Sequence, residues 1–384
     1  MAKKQIKLKE VLGQPSWVMS TDNVKMAISQ LGGQLAPVIF FADSKTPVQP
    51  YWVAPWYRIK DMKFPRTDTV LKPLRGDFFC LPFGANAEKY EGEQHTCHGE
   101  AGTEKWKYVN LCDDGKIVKL TLSMNTKIRK GRIVKDTWLK NGHNAVYQSH
   151  ELSGYAGKIP LANHHTLAMS DTPESVLVSM SSLKMGFTNP VAGDIDKYDY
   201  AFVATNEKFR DLAKVPTRFK TPATCDCSKL PTRKGYGDLV QCFHNPSDRI
   251  SWVTATYTSE GFMWYSLKLT EQYPAVTVWL FNNNRHNYPW DIFEDACLGL
   301  ENSCSYLACG LADSVRPNPA SRAGFKTYAT FSPKTPSRIN IIQGVVRVPA
   351  GFGKATSAKF DKGKVTFISG TKKAVAKVDW EFLE

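Results

Sequence analysis

Four of the eight histidines stand in two close groups, His95 with His98 and His164 with His165. An imidazole titrates near pH 6.5, so it can give or take a proton at neutral pH, and a carboxylate beside it completes an acid–base pair. His95 and His98 lie in Gln94-His-Thr-Cys-His-Gly-Glu-Ala-Gly-Thr-Glu-Lys-Trp106, a polar, glycine-containing stretch that reads as a loop. His164 and His165 lie in Ile159-Pro-Leu-Ala-Asn-His-His-Thr-Leu-Ala-Met169, within apolar surroundings. Neighbouring positions of a strand point to opposite faces, so one of these two histidines enters a cleft or core and the other faces away. Glu301 supplies a carboxylate. It precedes a helical spacing, Cys304, Leu307, Ala308 and Leu311, with Asn302 or Ser303 as cap and Gly310 as stop. The positive end of such a helix would favour an ionised Glu301, whether as a base or simply as a helix-terminal residue.

Cys225-Asp-Cys227 is the tightest cysteine pair, but it has neither zinc-ribbon nor thioredoxin spacing, and Cys242 and His244 add only a weak constellation. His95, His98 and His165 lack the carboxylate–histidine spacing of a zincin helix. No metal site is expected.

The elements that must hold these groups read as strands. In Ile117–Met124, Val118, Leu120, Leu122 and Met124 share one face and Lys119, Thr121 and Ser123 the other, the pattern of a half-buried strand. Ala275–Phe281 has apolar or aromatic residues on both faces, as in a sandwich interior. Residues 176–180, 250–257, 261–269 and 365–368 are further β-branched and aromatic runs. Helix signals are few and short. No fixed-period repeat or linker-like break interrupts residues 23–384, which are expected to form one large antiparallel domain, with residues 1–22 a partly ordered N-terminal segment.

With 384 residues, 42% apolar content and 12% aromatic residues, the chain can bury a large core, which excludes disorder as its main state. The formal charge of +14 is scattered; its densest groups, residues 127–132 and Lys372-Lys373, fall at expected turns or strand ends. Solvated strand edges account for such charge better than a nucleic-acid-binding stripe. No apolar run is long enough for a secretory leader or a membrane span. The cysteine count is odd and no Asn-x-Ser/Thr acceptor occurs, so a reducing, cytoplasmic setting is expected, without a nucleic-acid or membrane partner.

Several of these segments, taken in order, resemble the galactose mutarotase (aldose 1-epimerase) superfamily. Leu31-Gly-Gly-Gln-Leu-Ala-Pro-Val-Ile-Phe-Phe41 is similar to its early glycine-pair strand, and Arg75-Gly-Asp-Phe-Phe-Cys-Leu-Pro-Phe-Gly-Ala-Asn86 stands where that family carries an Arg- and Asn-bearing substrate segment. His98-Gly99 with Trp106 matches its His-Gly-x6-Trp signature, Asn163-His164-His165-Thr166 resembles its Asn-His-Thr strand, and Cys297-Leu-Gly-Leu-Glu301 resembles the strand ending in its catalytic glutamate. The resemblance spans roughly residues 30–350. It implies an all-β fold, a large antiparallel β-supersandwich with one or a few short helices, and a cofactor-free exchange of sugar anomers. Glu301 would take the proton of the anomeric hydroxyl and His165, which fits the His-Thr step, would protonate the ring oxygen. His98, His164, Arg75, Asn163 and Arg285 would contact the sugar, and Trp106, Tyr288 and Trp290 would either pack on its apolar face or fill the core. Two departures stand out. The hexose-6-phosphate branch has a His-Gly-x-Ala-Arg pattern, whereas Gly102 occupies the arginine's place here, and residues 302–313 differ from the loop of typical galactose mutarotases. The partner is thus expected to be a small sugar or sugar derivative, turned over, or bound without turnover on the same fold; a hexose 6-phosphate is the remaining alternative.

Overall fold

In the computed structural model, which describes residues 6–65, 69–170, 172–191, 193 and 199–384, the chain is nearly all antiparallel β-structure. Two sheets carry most of it. The eleven-stranded sheet has at its centre, as successive neighbours, Asp77–Cys80, Leu161–Ala168, Ala296–Cys304, Ala275–Asn282 and Tyr236–His244. The nine-stranded sheet is centred on Phe262–Leu269, Ser337–Arg347 and Ala145–Ser153.

Alternating side chains bind the two sheets together. Phe79, Leu161, Leu167, Val276, Leu298 and Leu300 of the first sheet meet Leu120, Leu122, Val146, Val253, Trp264 and Ile341 of the second in one buried cluster. The strand expected over Ile117–Met124 forms as Ile117–Thr126, with the expected apolar set buried. The outer face of the nine-stranded sheet is covered in turn by a C-terminal meander (Ser357–Asp361, Lys364–Ser369, Lys372–Lys377), whose Val365, Phe367, Ala374 and Ala376 pack on Tyr147, Trp252, Met263 and Tyr265. The outer face of the eleven-stranded sheet carries an aromatic cluster that includes Trp52, Trp56, Phe78, Phe83, Phe281 and Trp290.

Two local expectations are corrected. Residues 9–20, read as part of a partly ordered start, form the edge strand Lys9–Val11 and its neighbour Gln14–Ser20, and Trp17 and Met19 are buried. Their alternation is short, but the neighbouring Val24–Ser29 strand completes it by pairing with Ser16–Ser20. The helix expected after Glu301 is also absent there: Glu301 lies inside the Ala296–Cys304 strand, laddered to His164 on one side and Thr277 on the other. Two flanking strands satisfy this backbone to Cys304, which outweighs a local helical spacing, and a short helix begins only at Leu311, with Gly310 as its N-cap. Glu301 is therefore not at the start of a helix. Among the described residues, no helix is long and apolar enough to cross a membrane.

Candidate functional site

Register decides which side chains meet. His164 pairs with Glu301 and with Phe78 across the two adjacent ladders, so these three share the outer face of the eleven-stranded sheet. Gly299 and Trp279 are paired two residues further along that face. Asn163 and His165, one position away, must point inward.

On the outer face His164 Nε2 lies 3.3 Å from Glu301 Oε1. Its Nδ1 is 3.1 Å from the hydroxyl of Thr166, two residues along the same face, and its ring stacks on Phe78 with centroids 4.7 Å apart. The imidazole is thereby held on three sides. His98 arrives from another element: it caps the short helix Gly99–Thr103 in a left-handed conformation (φ 60°), and its ring meets His164 edge-on at 4.9 Å. The loop reading of residues 94–106 missed this one turn of helix, whose cap aims His98 inward.

Glu301 is 2% exposed, and its Oε2 has no hydrogen-bond partner; nor does the buried Nδ1 of His98. Gly299 makes room for the carboxylate, since a Cβ there would stand 2.8 Å from both Glu301 Oε1 and Trp279 Cβ. Burial pushes the Glu301 pKa well above the usual carboxylate range. Burial likewise depresses His164 well below its ordinary value and His98 to about 4. Burial thus favours the neutral forms of the acid and of both imidazoles. A single transfer across the 3.3 Å contact converts this pair to carboxylate and imidazolium.

These groups line a cavity of roughly 290 Å³, whose walls include Trp279, Trp290, Arg285, Asn284, Asp199 and Asp238. Arg285 lies over Trp290 at 4.8 Å and over Trp279 at 5.6 Å, and its Nε is 3.9 Å from Asp199. It is the only lysine or arginine among the described lining residues. Asp238 accepts from the backbone N–H groups of Phe202 and Val203, and burial raises its pKa to about 6.

Of the residues expected to form the site, the structure brings together Glu301, His98, His164, Arg285 and Trp290. His165, expected to face the cleft, instead lies between the sheets: it is fully buried, with Nε2 3.5 Å from Asp77 and Nδ1 beside Leu300 O and the Asn302 amide. Asn163, on the same inner face, donates to Asp77 and accepts from Tyr273. Arg75 is 1% exposed, and its guanidinium donates to the carbonyls of Pro73, Val11 and Leu12, so it ties the N-terminal hairpin down rather than reaching the cavity. Trp106 is a core residue, 1% exposed, whose indole donates to Ala101 O. Tyr288 is exposed and donates to Lys63 O. Sequence reasoning missed Trp279, Asn284, Asp199 and Asp238. Trp279 left one signal, as an aromatic residue on the strand face opposite Val276, Val278 and Leu280.

No protein-family profile matches this sequence. No curated protein matches it either. Solved structures do. A proposed aldose 1-epimerase from Klebsiella pneumoniae is 14% identical with a TM-score of 0.59, covering 88% of this chain and 81% of its own. A galactose mutarotase-like protein from Clostridium acetobutylicum is 11% identical with a TM-score of 0.56, covering 90% and 99%. A galactose mutarotase related enzyme from Lactobacillus acidophilus is 13% identical with a TM-score of 0.53, covering 86% and 97%. At these identities the likeness establishes the fold.

Proposed function

From the galactose mutarotase-like fold of this chain, we propose that it is an aldose 1-epimerase-like isomerase, exchanging the anomers of a small, uncharged sugar in the cavity around Glu301. The observation that carries this reading is the Glu301–His164 contact, 3.3 Å long, with Glu301 Oε2 and His98 Nδ1 buried and unpartnered beside it. Buried polar atoms without partners are costly, and sugar hydroxyls would supply what they lack. Opening a cyclic hemiacetal needs a proton removed from the anomeric hydroxyl while another is delivered to the ring oxygen. Glu301 performs the first step and His164 the second, with the pair together carrying one proton. Rotation about the bond next to the anomeric carbon, then closure by the reverse transfers, yields the other anomer. His98 positions a sugar oxygen, and Trp279 and Trp290 offer their faces to the apolar side of the ring.

Two features favour an uncharged sugar over its phosphate. Arg285 is the one cation among the described lining residues and already lies near Asp199. At Gly102, a Cβ would come within 2.9 Å of the Phe78 ring, leaving no room for the arginine of the hexose-6-phosphate pattern. A second reading, a sugar-binding protein without turnover, draws on the raised pKa of Glu301, because a neutral carboxyl is a poor base.

Polarimetry or NMR exchange on a panel of free hexoses and pentoses, beside calorimetric titration, separates the two readings. Isomerase action predicts that Glu301→Gln and His164→Asn each lower the exchange rate by about 10²–10⁴-fold. His165→Asn should keep the rate per folded molecule while lowering the melting temperature. Full activity in the His164→Asn protein would refute the assigned pair, and binding of a sugar without accelerated exchange would favour the second reading.

A further inference from the structure

Beside the sugar cavity, in a groove whose lining shares Asp238 with it, the Cys225-Asp-Cys227 segment forms a feature that the proposed sugar chemistry does not use. Thr224–Cys225 is a two-residue strand paired with Val215–Pro216, and Cys227 is tied back by its N–H to Leu212 O at 2.9 Å. Between them, Asp226 accepts from Ser228 N at 2.9 Å, bending the chain. The bend turns both cysteine side chains together, with Sγ atoms 3.6 Å apart. The two residues border an open groove of roughly 1410 Å³ shared with Trp52, Tyr57, Tyr236 and Lys229.

The two thiols are not equivalent. Cys225 is partly exposed in the groove, whereas Cys227 is 1% exposed. Contact with Cys227 holds the Cys225 pKa below the usual thiol value, and the same contact together with burial raises that of Cys227. An accessible thiol with enhanced thiolate character beside a sheltered second thiol is the arrangement of an attacking and a resolving cysteine.

We propose that Cys225 and Cys227 form a reversible thiol–disulfide site that reacts with small disulfides of the glutathione type entering along this groove. The Cys225 thiolate attacks one sulfur of the small disulfide; that S–S bond breaks, a mixed disulfide forms on Cys225, and one small thiolate leaves and takes up the proton that Cys225 released. Cys227 then gives up its proton and attacks the Cys225 sulfur. The mixed S–S bond breaks, the second small thiol leaves with that proton, and a Cys225–Cys227 bond closes. Two protein thiols are oxidised and one disulfide is reduced to two thiols. A bridge between residues two apart closes a small ring, and strained, accessible disulfides are the readily reduced ones, so a thiol such as dithiothreitol reopens it.

Trypsin makes the site separable from the other seven cysteines, because cleavage after Lys220 and Lys229 releases Thr221–Lys229, which contains Cys225 and Cys227 alone. The full chain is exposed to oxidised glutathione, denatured, blocked with iodoacetamide, digested and weighed. The expected peptide has lost both alkylation sites and is lighter by two hydrogens, and dithiothreitol before blocking restores both. In Cys227→Ser, glutathione remains on Cys225; in Cys225→Ser, Cys227 stays unmodified. A wild-type peptide that remains doubly alkylated in excess oxidised glutathione, or that carries glutathione without closing, overturns the proposal, and this arm decides even if a variant fails to fold.

Discussion

His164 and His165 illustrate how much one position matters. Both are buried, both approach an acid, and they sit on opposite sides of one sheet: His164 beside Glu301 at 3.3 Å, His165 beside Asp77 at 3.5 Å. Asp77 is surrounded by donors, with Asn163 at 3.1 Å and Gln343 at 2.7 Å besides Gln148. Burial would raise its pKa, but His165, Lys135 and the amide donors hold it below the usual carboxylate value. Glu301 has no such donors, so burial prevails and its pKa moves the other way, well above the usual range. Two carboxyls at a similar depth thus shift in opposite directions, and the one that lacks partners faces the cavity. A glycine keeps that geometry open. Gly299→Ala would place a methyl group 2.8 Å from the present position of Glu301 Oε1, with Trp279 blocking the other side. The carboxyl or Trp279 must shift by several tenths of an ångström, and because a misplacement of about 1 Å can cost about 10²-fold in rate, a loss of up to that size follows. The expected result is a folded protein with anomer exchange reduced to that degree; unchanged exchange would mean that Glu301 is not held where the reaction needs it.

At the scale of elements, the strands were legible in the sequence because their burial is regular. The Ile117–Thr126 strand buries the residues its period-two pattern selects, and Ala275–Asn282 is covered on both faces, as its composition suggests. What the pattern cannot supply is which strand lies beside which. The facing of His164 depends on its pairing with Glu301, 137 positions away in sequence, and a one-residue slip would exchange it for His165. Asp199, Asp238 and Asn284 escaped notice for the same reason: each comes from a different segment, and only the fold brings them to one cavity. Arg75 was misread differently. Its position matched a substrate segment, but its side chain turns toward the N-terminal hairpin, where it meets the carbonyls of Val11 and Leu12, with that of Pro73 beside them. Arg75→Met removes charged donors worth about 1.5–3 kcal/mol while retaining much of the packing. Amide exchange should therefore quicken in residues 9–20 first, with the central strands of the same sheet unaffected and sugar binding retained. Loss of sugar binding with normal protection of residues 9–20 would return Arg75 to the site.

Most histidines of the molecule are buried. Burial lowers the pKa of His98 to about 4, depresses His150, His164 and His244 well below the ordinary value, and lowers His165. A group whose pKa falls on folding contributes stability above its unfolded pKa and loses it as pH drops toward the folded one. Below about pH 6.5 the unfolded chain takes up protons that these five imidazoles resist in the native state, so each contributes to a loss of stability as pH falls toward its folded pKa. Glu301 and Asp238, with raised values, act in the opposite direction, because the native state keeps protons there that the unfolded chain has released; Glu260 and Asp313 add more weakly to this. The histidines outnumber the two strongly shifted acids, so stability should fall as pH falls from about 6.5 to about 4, measured as a declining denaturant midpoint. His150 isolates one contribution. It is fully buried, neither ring nitrogen has a hydrogen-bond partner, and it stacks on Phe79 at 4.1 Å, outside the lining of the sugar cavity. His150→Leu removes two stranded polar atoms from the space between the sheets, so the variant should be more stable at pH 7 by about 1–3 kcal/mol. Its stability should also decline less steeply below pH 6.5, by about 1.4 kcal/mol per pH unit. A variant with the wild-type slope would mean that His150 takes up its proton in the native state, and that the space between the sheets admits charge at that point.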